Sequence, residues 1–208
     1  MRRNGRQWLT MALTVLLLAG LFYVVCIQKQ RQAEEGTAAD GVAAAVDERT
    51  DKETDAAALM KEGLNHERKQ QYQTAARCYR QAAELGLSEA QNNLGVLYKD
   101  GQGVGQDFEA AAHWFRLSAE QDNTLAQLNL GWLYHAGKGV SQNADSARYW
   151  YLRAATKGHT SAQLNLGILC LQQQDTAAGI HWLQKAAEQG SEGARRVLRV
   201  IGKSNMTE

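Results

Sequence analysis

Three cysteines, five histidines and two glycine-rich turns are the residues of this chain best suited to chemistry. Gly137-Lys138-Gly139-Val140-Ser141 has the residue types of a phosphate-binding loop. Such a loop needs Gly-x-x-x-x-Gly-Lys-[Ser/Thr] after a strand, so that backbone N–H groups and the lysine converge on phosphate oxygens. Here the spacing is shorter and the turn follows a helical pattern, so the glycines are read as supplying positive φ in a tight turn between helices. His113 and His181 each precede a tryptophan, His66, His135 and His159 are scattered, and no Cys-x-x-Cys or His-x-x-x-His spacing occurs. A metal site needs such donors grouped at ligand spacing. No nucleophile has a recognisable base. The expectation is a chain with no catalytic residue, no cofactor, no metal and no small-molecule substrate.

What positions these residues is a repeat. Ala90-Gln91-Asn92-Asn93-Leu94-Gly95 returns as Ala126-Gln127-Leu128-Asn129-Leu130-Gly131 and as Ala162-Gln163-Leu164-Asn165-Leu166-Gly167, a period of 36 residues. That period marks helical solenoids, whose units bury their apolar faces only by stacking. Trp114, Trp150 and Trp182 recur in a second helix, as do Ala119, Ala155 and Ala187. The same register run backwards reaches Cys78 and Ala83, exposing an earlier unit with Gly63, Ala75, Tyr79 and Ala82. The predicted fold is all-α: a right-handed α/α solenoid of about four helix-turn-helix repeats, preceded by one transmembrane helix. The units fall at about 56–89, 90–125, 126–161 and 162–193, followed by a capping helix at 192–203 and a tail at 204–208.

Ala and Gly at fixed positions let helix axes approach, while Leu, Tyr and Trp fill the space between. One core layer is expected to hold Leu94, Tyr98, Ala111, Phe115 and Ala119, and the next Leu130, Tyr134, Ala147, Tyr151 and Ala155. Apart from Trp132, taken up below, the aromatics of the repeats, Trp150 included, are read as core. Cys78 stands where the next unit has Trp114, and Cys170 where earlier units have Tyr98 and Tyr134. They belong to the first and last units, beyond the Cα separation of about 7 Å that a disulfide spans.

These motifs resemble Sel1-like repeats, relatives of the tetratricopeptide repeat. The resemblance rests on Leu-Gly in the first helix, on Gly101-Gln102-Gly103-Val104 and Gly137-Lys138-Gly139-Val140, and on Ala-x-x-Trp and Ala-x-x-Gly in the second helix. The Gly-x-Gly-Val insertion is present in units two and three and missing from units one and four. The resemblance covers about Ala56 to Arg195 and implies protein binding rather than catalysis.

In tetratricopeptide-type solenoids the first helix lines the concave side. By that resemblance the groove positions are Met60, Leu64 and Glu67; Asn92, Val96 and Lys99; Leu128, Trp132 and His135; and Leu164, Ile168 and Leu171. Asn93, Asn129 and Asn165 match residues that hydrogen-bond an extended backbone in related peptide-binding domains. The Lys–Asn clamp of chaperone-binding relatives is not reproduced, because Met60 and Leu64 stand at its first positions. Leu128, Trp132, Leu164, Ile168 and Leu171 would form a contiguous apolar patch, the kind of surface that marks an interaction site. The candidate partner-binding residues are therefore Asn93, Leu128, Asn129, Trp132, His135, Leu164, Asn165, Ile168 and Leu171.

The amino-terminal end supplies the setting. Residues 1–7 are basic, and Trp8 to Ile27 is an apolar run of twenty residues. Twenty helical residues reach about 30 Å, the thickness of a bilayer core. The run ends Phe22-Tyr23-Val24-Val25-Cys26, without the small residues that a signal peptidase or a lipoprotein site requires. It is read as an uncleaved anchor. Arg2, Arg3 and Arg6 before it, against Lys29 and Arg31 after it, place the amino terminus inside and the repeats outside the cytoplasm. Residues 28–55, without aromatics or apolar periodicity, read as a flexible linker. With Lys+Arg 23 against Asp+Glu 22, the chain lacks the electrostatic footprint of a nucleic-acid binder. The expectation is a bacterial inner-membrane adaptor whose periplasmic repeats bind a protein partner; the alternative is an immunity protein that neutralises an envelope-directed toxin such as a lipase effector. A reporter that works only outside the cytoplasm is expected to be active when fused after Asp55. Activity of a cytoplasm-only reporter there, or recovery of a chain cut near Ala45, would contradict this topology.

Overall fold

The structure, a computed structural model, describes residue 28 and residues 50–204. The apolar run 8–27, Cys26, most of the predicted linker and the tail from 205 lie outside the described residues. The chain divides between Lys52 and Glu53, and the unit that begins at Glu53 contains the repeats.

Among the described residues the regular structure is helical throughout. A first helix, α1, covers 50–68. It is followed by α2 (Tyr72–Glu84), α3 (Ser88–Asp100), α4 (Phe108–Glu120), α5 (Thr124–Ala136), α6 (Ala144–Thr156), α7 (Thr160–Gln172), α8 (Thr176–Glu188) and α9 (Glu192–Ser204). Among the described residues no helix is long and apolar enough to cross a membrane. Substantial contacts join helices consecutive in the chain, from α2 on α3 through to α8 on α9, as stacked helix pairs require. In each unit α1, α3, α5 and α7 are the first helices, and α2, α4, α6 and α8 the second.

Local chemistry sets the boundaries. Asp107, Asn123, Asn143 and Asp175 accept hydrogen bonds from the first backbone N–H groups of α4, α5, α6 and α8, groups that have no partner inside the helix. The first helices begin at Ser88, Thr124 and Thr160, two residues before the repeated alanine that sequence reading took as the unit start. In the units with the insertion, Gly101 and Gly137 end α3 and α5 in the left-handed conformation. Gly103 and Gly139 lie against the backbone at Tyr72 and Phe108, the first residues of the preceding unit's second helix, where a Cβ would overlap main-chain atoms. The insertion loop thus fastens each unit to the one before it.

The repeated Gly of the first helix has a steric cause. A Cβ on Gly63 would lie 2.5 Å from the Tyr79 ring, on Gly95 2.7 Å from Phe115, on Gly131 2.7 Å from Tyr151 and on Gly167 2.7 Å from Leu183. Tyr79, Phe115, Tyr151 and Leu183 are all fully buried. The small residue on one helix therefore seats the large one on its partner, four times over.

A chain of glutamines seals the next junction. Gln91, Gln127 and Gln163 are buried, and each Nε2 donates at 3.2 Å to a carbonyl near the end of the preceding second helix: Ala83, Ala119 and Ala155. The Oε1 atoms of Gln91 and Gln163 accept from Gln121 and Gln189, residues that follow α4 and α8. Lys157 holds the equivalent position after α6 and turns to Asp122 instead, leaving Gln127 Oε1 buried without a partner.

Two sequence expectations are corrected by burial. Trp114, Trp150 and Trp182 are half-buried rather than core; each packs against the cluster of the preceding unit and so covers the seam between units. Tyr98 and Tyr134 are also half-buried, because their hydroxyls reach the surface and accept from Arg80 and Arg116 at 2.8 and 3.0 Å. In unit four Cys170 replaces the tyrosine, and Leu152 stands where the arginine would be, so both partners are lost together.

Helix α9 has the register of a fifth unit's first helix. Ala194 is buried like Ala162, and Arg195 donates to Ala187 O at 3.3 Å, the bond the glutamines make elsewhere. Arg199 occupies the place of the repeated glycine. A long side chain thus stands where the other first helices have their glycine seat.

Lys157→Gln should complete the glutamine chain. Satisfying a buried acceptor is worth about 1–3 kcal/mol, against an exposed ion pair worth about 0–1 kcal/mol, so the variant is expected to melt higher than the parent. An unchanged or lower melting temperature would show that Gln127 Oε1 is not a source of instability.

Candidate functional site

The candidate groove residues lie on the first helices, and the structure brings only some of them together. Lys99 from α3, Leu128, Asn129 and Trp132 from α5, and Asn165 from α7 line one open pocket of about 220 Å³. Trp132 is 36% exposed and is the one exposed side chain among the twelve groove positions. The Lys138 ammonium stands 5.2 Å from the Trp132 ring centroid and 4.9 Å from that of Phe108. It is thereby held between Phe108 and Trp132 by the negative faces of the two rings.

Asparagines tie this region together. Asn129 Nδ2 donates to Asn92 Oδ1 at 3.2 Å, and Asn92 Nδ2 donates to Asn93 Oδ1 at 3.3 Å. Asn92 is buried, so its amide links α3 to α5 rather than lining a groove. His135 meets Gln172 at 3.0 Å and stands edge-on to Tyr151, joining α5 to α7.

In units one and four, and at Val96 of unit two, the groove positions are committed to packing. Met60 and Leu64 lie against the cluster around Tyr79, and Val96 against the one around Phe115. Glu67 accepts from the Tyr79 hydroxyl at 2.5 Å. Leu164, Ile168 and Leu171 pack against the cluster of Leu183, Ala186 and Ala194, as do Val197, Leu198 and Ile201 of α9. The contiguous apolar patch expected across units three and four is therefore interrupted: the terminal helix takes the unit-four part into a core. What stays open is the Leu128–Trp132 shelf with its asparagines and Lys99.

Burial shifts several titratable groups among the described residues. Burial pushes the Tyr79 phenol well above its ordinary value, and its bond to Glu67 adds to the effect. Burial does the same to Tyr151, whose hydroxyl lies beside Asn165. The thiols of Cys78 and Cys170 are free, buried and raised by desolvation, the opposite of what a nucleophile needs. Among the described residues no group of three or more His, Cys, Asp and Glu could hold a metal ion.

Sequence reading left two residues of this site outside its candidates. Lys99 was a groove position without an assigned role. Lys138 was read only as part of a glycine turn, and its reach to Trp132 depends on how the insertion loop folds back, which spacing does not report.

A family model described as the Sel1 repeat matches residues 56–87, 88–123, 124–159 and 160–191. Among solved structures the chain is similar to c5321, a protective antigen present in uropathogenic Escherichia coli strains displaying an SLR fold. The identity is 30%, over 73% of this chain and 34% of that one, with a TM-score of 0.67. It is also similar to a Sel1 repeat protein from Oxalobacter formigenes, at 29% identity over 69% of this chain and 62% of that one, with a TM-score of 0.64. The chain thus spans about a third of the first relative and less than two thirds of the second. No curated protein matches. Sel1-repeat proteins are typically non-enzymatic scaffolds that bind other proteins. With four matched repeats and their glycines, insertion loops and second-helix tryptophans in place, the chain belongs to the Sel1-repeat family.

Proposed function

We propose that this chain is a membrane-tethered adaptor of the bacterial cell envelope, with its repeats in the periplasm and a protein partner bound on the concave face formed by its first helices. The observation that carries the binding reading is Trp132. A tryptophan open to solvent, beside Leu128 and among asparagine amides, is an apolar anchor with hydrogen-bonding groups on its flank. Such a combination is what interface centres are made of. The tether reading is supported by the apolar run 8–27 and the basic residues before it, and the bacterial setting by the organisms of the similar structures.

Site-specific photo-crosslinking in cells tests the face. With a photoreactive residue at position 132 the full chain is expected to form a discrete adduct with a partner. At Leu152 on α6, which is 40% exposed, it is expected to form none. Equal crosslinking from both positions, or none from 132, would overturn the assignment of the binding face. Stability supplies the companion measurement. Trp132→Ala should cost less than about 1 kcal/mol, as surface changes do, while Phe115→Ala should cost about 3–5 kcal/mol because a fully buried ring is removed. Unfolding by Trp132→Ala as severe as that by Phe115→Ala would show that Trp132 belongs to the architecture.

A further inference from the structure

The units are not equal under the groove. In unit one the Tyr79 hydroxyl donates to Glu67. In unit three the Tyr151 hydroxyl is buried beside Asn165. In unit two the same position is Phe115, which brings no hydroxyl beneath Lys99 and Asn129. Lys99 therefore lacks the internal partner that Glu67, its equivalent in unit one, receives from below. Its ammonium instead lies 3.2 Å from Asp100 Oδ1, on a side chain that is itself 42% exposed. A pocket of this face opens at this junction.

Charge then selects the ligand. Lys99 is the sole charged residue lining the pocket, and no carboxylate lines it. The second cation at hand, Lys138, stands over the Trp132 ring. A carboxylate arriving here would meet the Lys99 ammonium, whereas a basic group would meet a like charge. Next to Lys99, Leu128 and Trp132 form the apolar shelf. The amides of Asn129 and Asn165 can each donate to and accept from a peptide backbone.

We propose that this pocket takes an extended segment of a partner protein in which an apolar side chain, seated on Leu128 and Trp132, is flanked by an aspartate or glutamate received by Lys99. The proposal rests on the reading that the first-helix face is the recognition surface, and it adds the chemistry of what is recognised. No free carboxyl terminus is required, because the charge comes from a side chain.

A displayed library of short random peptides, each fused at its carboxyl end so that no terminal carboxylate is free, can be selected against the full chain. The expected outcome is enrichment of apolar residues next to Asp or Glu. Peptides so selected should lose about tenfold or more in affinity on Trp132→Ala and on Lys99→Glu. Selection against Lys99→Glu should in turn favour Lys or Arg at the same place. Peptides that are acidic but insensitive to Trp132→Ala would bind elsewhere, and the recognition face itself would be wrong. Peptides sensitive to Trp132→Ala but indifferent to Lys99→Glu, or without acidic residues, would keep the face and overturn the ligand chemistry. Thermal melts of both variants, expected to stay close to the parent, guard against unfolding as the cause.

Discussion

Everything in this domain depends on one steric constraint: a glycine in the first helix of each unit receives the largest buried side chain of the second. Gly63, Gly95, Gly131 and Gly167 face Tyr79, Phe115, Tyr151 and Leu183 at distances that leave no room for a Cβ. The contact fixes how close the two helices come, and so which residues of the first helix face its neighbours and which face out. Trp132 follows Gly131, which is turned onto Tyr151, and is open to solvent. In α9 the corresponding position is Arg199 rather than glycine.

A second layer of order comes from polar groups placed by that packing. The buried glutamines satisfy carbonyls at the end of the preceding second helix, so each junction is tied through the backbone as well as through apolar contact. Asp122 shows how the sequence adapts when a repeat position changes. It takes the left-handed conformation that Gly86, Gly158 and Gly190 adopt at the matching turns. Its carboxylate is exposed and held below its ordinary pKa by Lys157 and Arg153. Lys157 is the same residue that leaves Gln127 short of a partner, so one substitution links both departures from the pattern.

The fold was legible from the sequence because it repeats: the first-helix glycine reports packing that recurs at every unit, and the glycine insertion reports the tie that units two and three make to the unit before. Burial of individual aromatics was less legible. Phe115 and Trp114 are neighbours in one helix, yet the first is enclosed and the second covers a seam, a distinction set by helix rotation that residue type does not encode. The groove register carried over from related solenoids named Leu128, Asn129, Trp132 and Asn165, which share a pocket. It could not show that α9 folds back on Leu164, Ile168 and Leu171, nor that a Phe in place of Tyr leaves Lys99 without a hydroxyl below it. Those are tertiary consequences, and a pattern confined to one helix is silent on them.

The central claim, that the glycine–aromatic contact sets the geometry of each unit, is tested most directly by a double-mutant cycle on unfolding free energy at Gly95 and Phe115. Gly95→Ala alone should cost about 1–3 kcal/mol, since the added methyl collides with the Phe115 ring. In the Phe115→Val background the smaller side chain leaves room, and the same substitution should cost far less or become stabilising through alanine's better helix propensity. Strict additivity of the two substitutions would contradict the account, because it would mean that Gly95 and Phe115 do not sense one another.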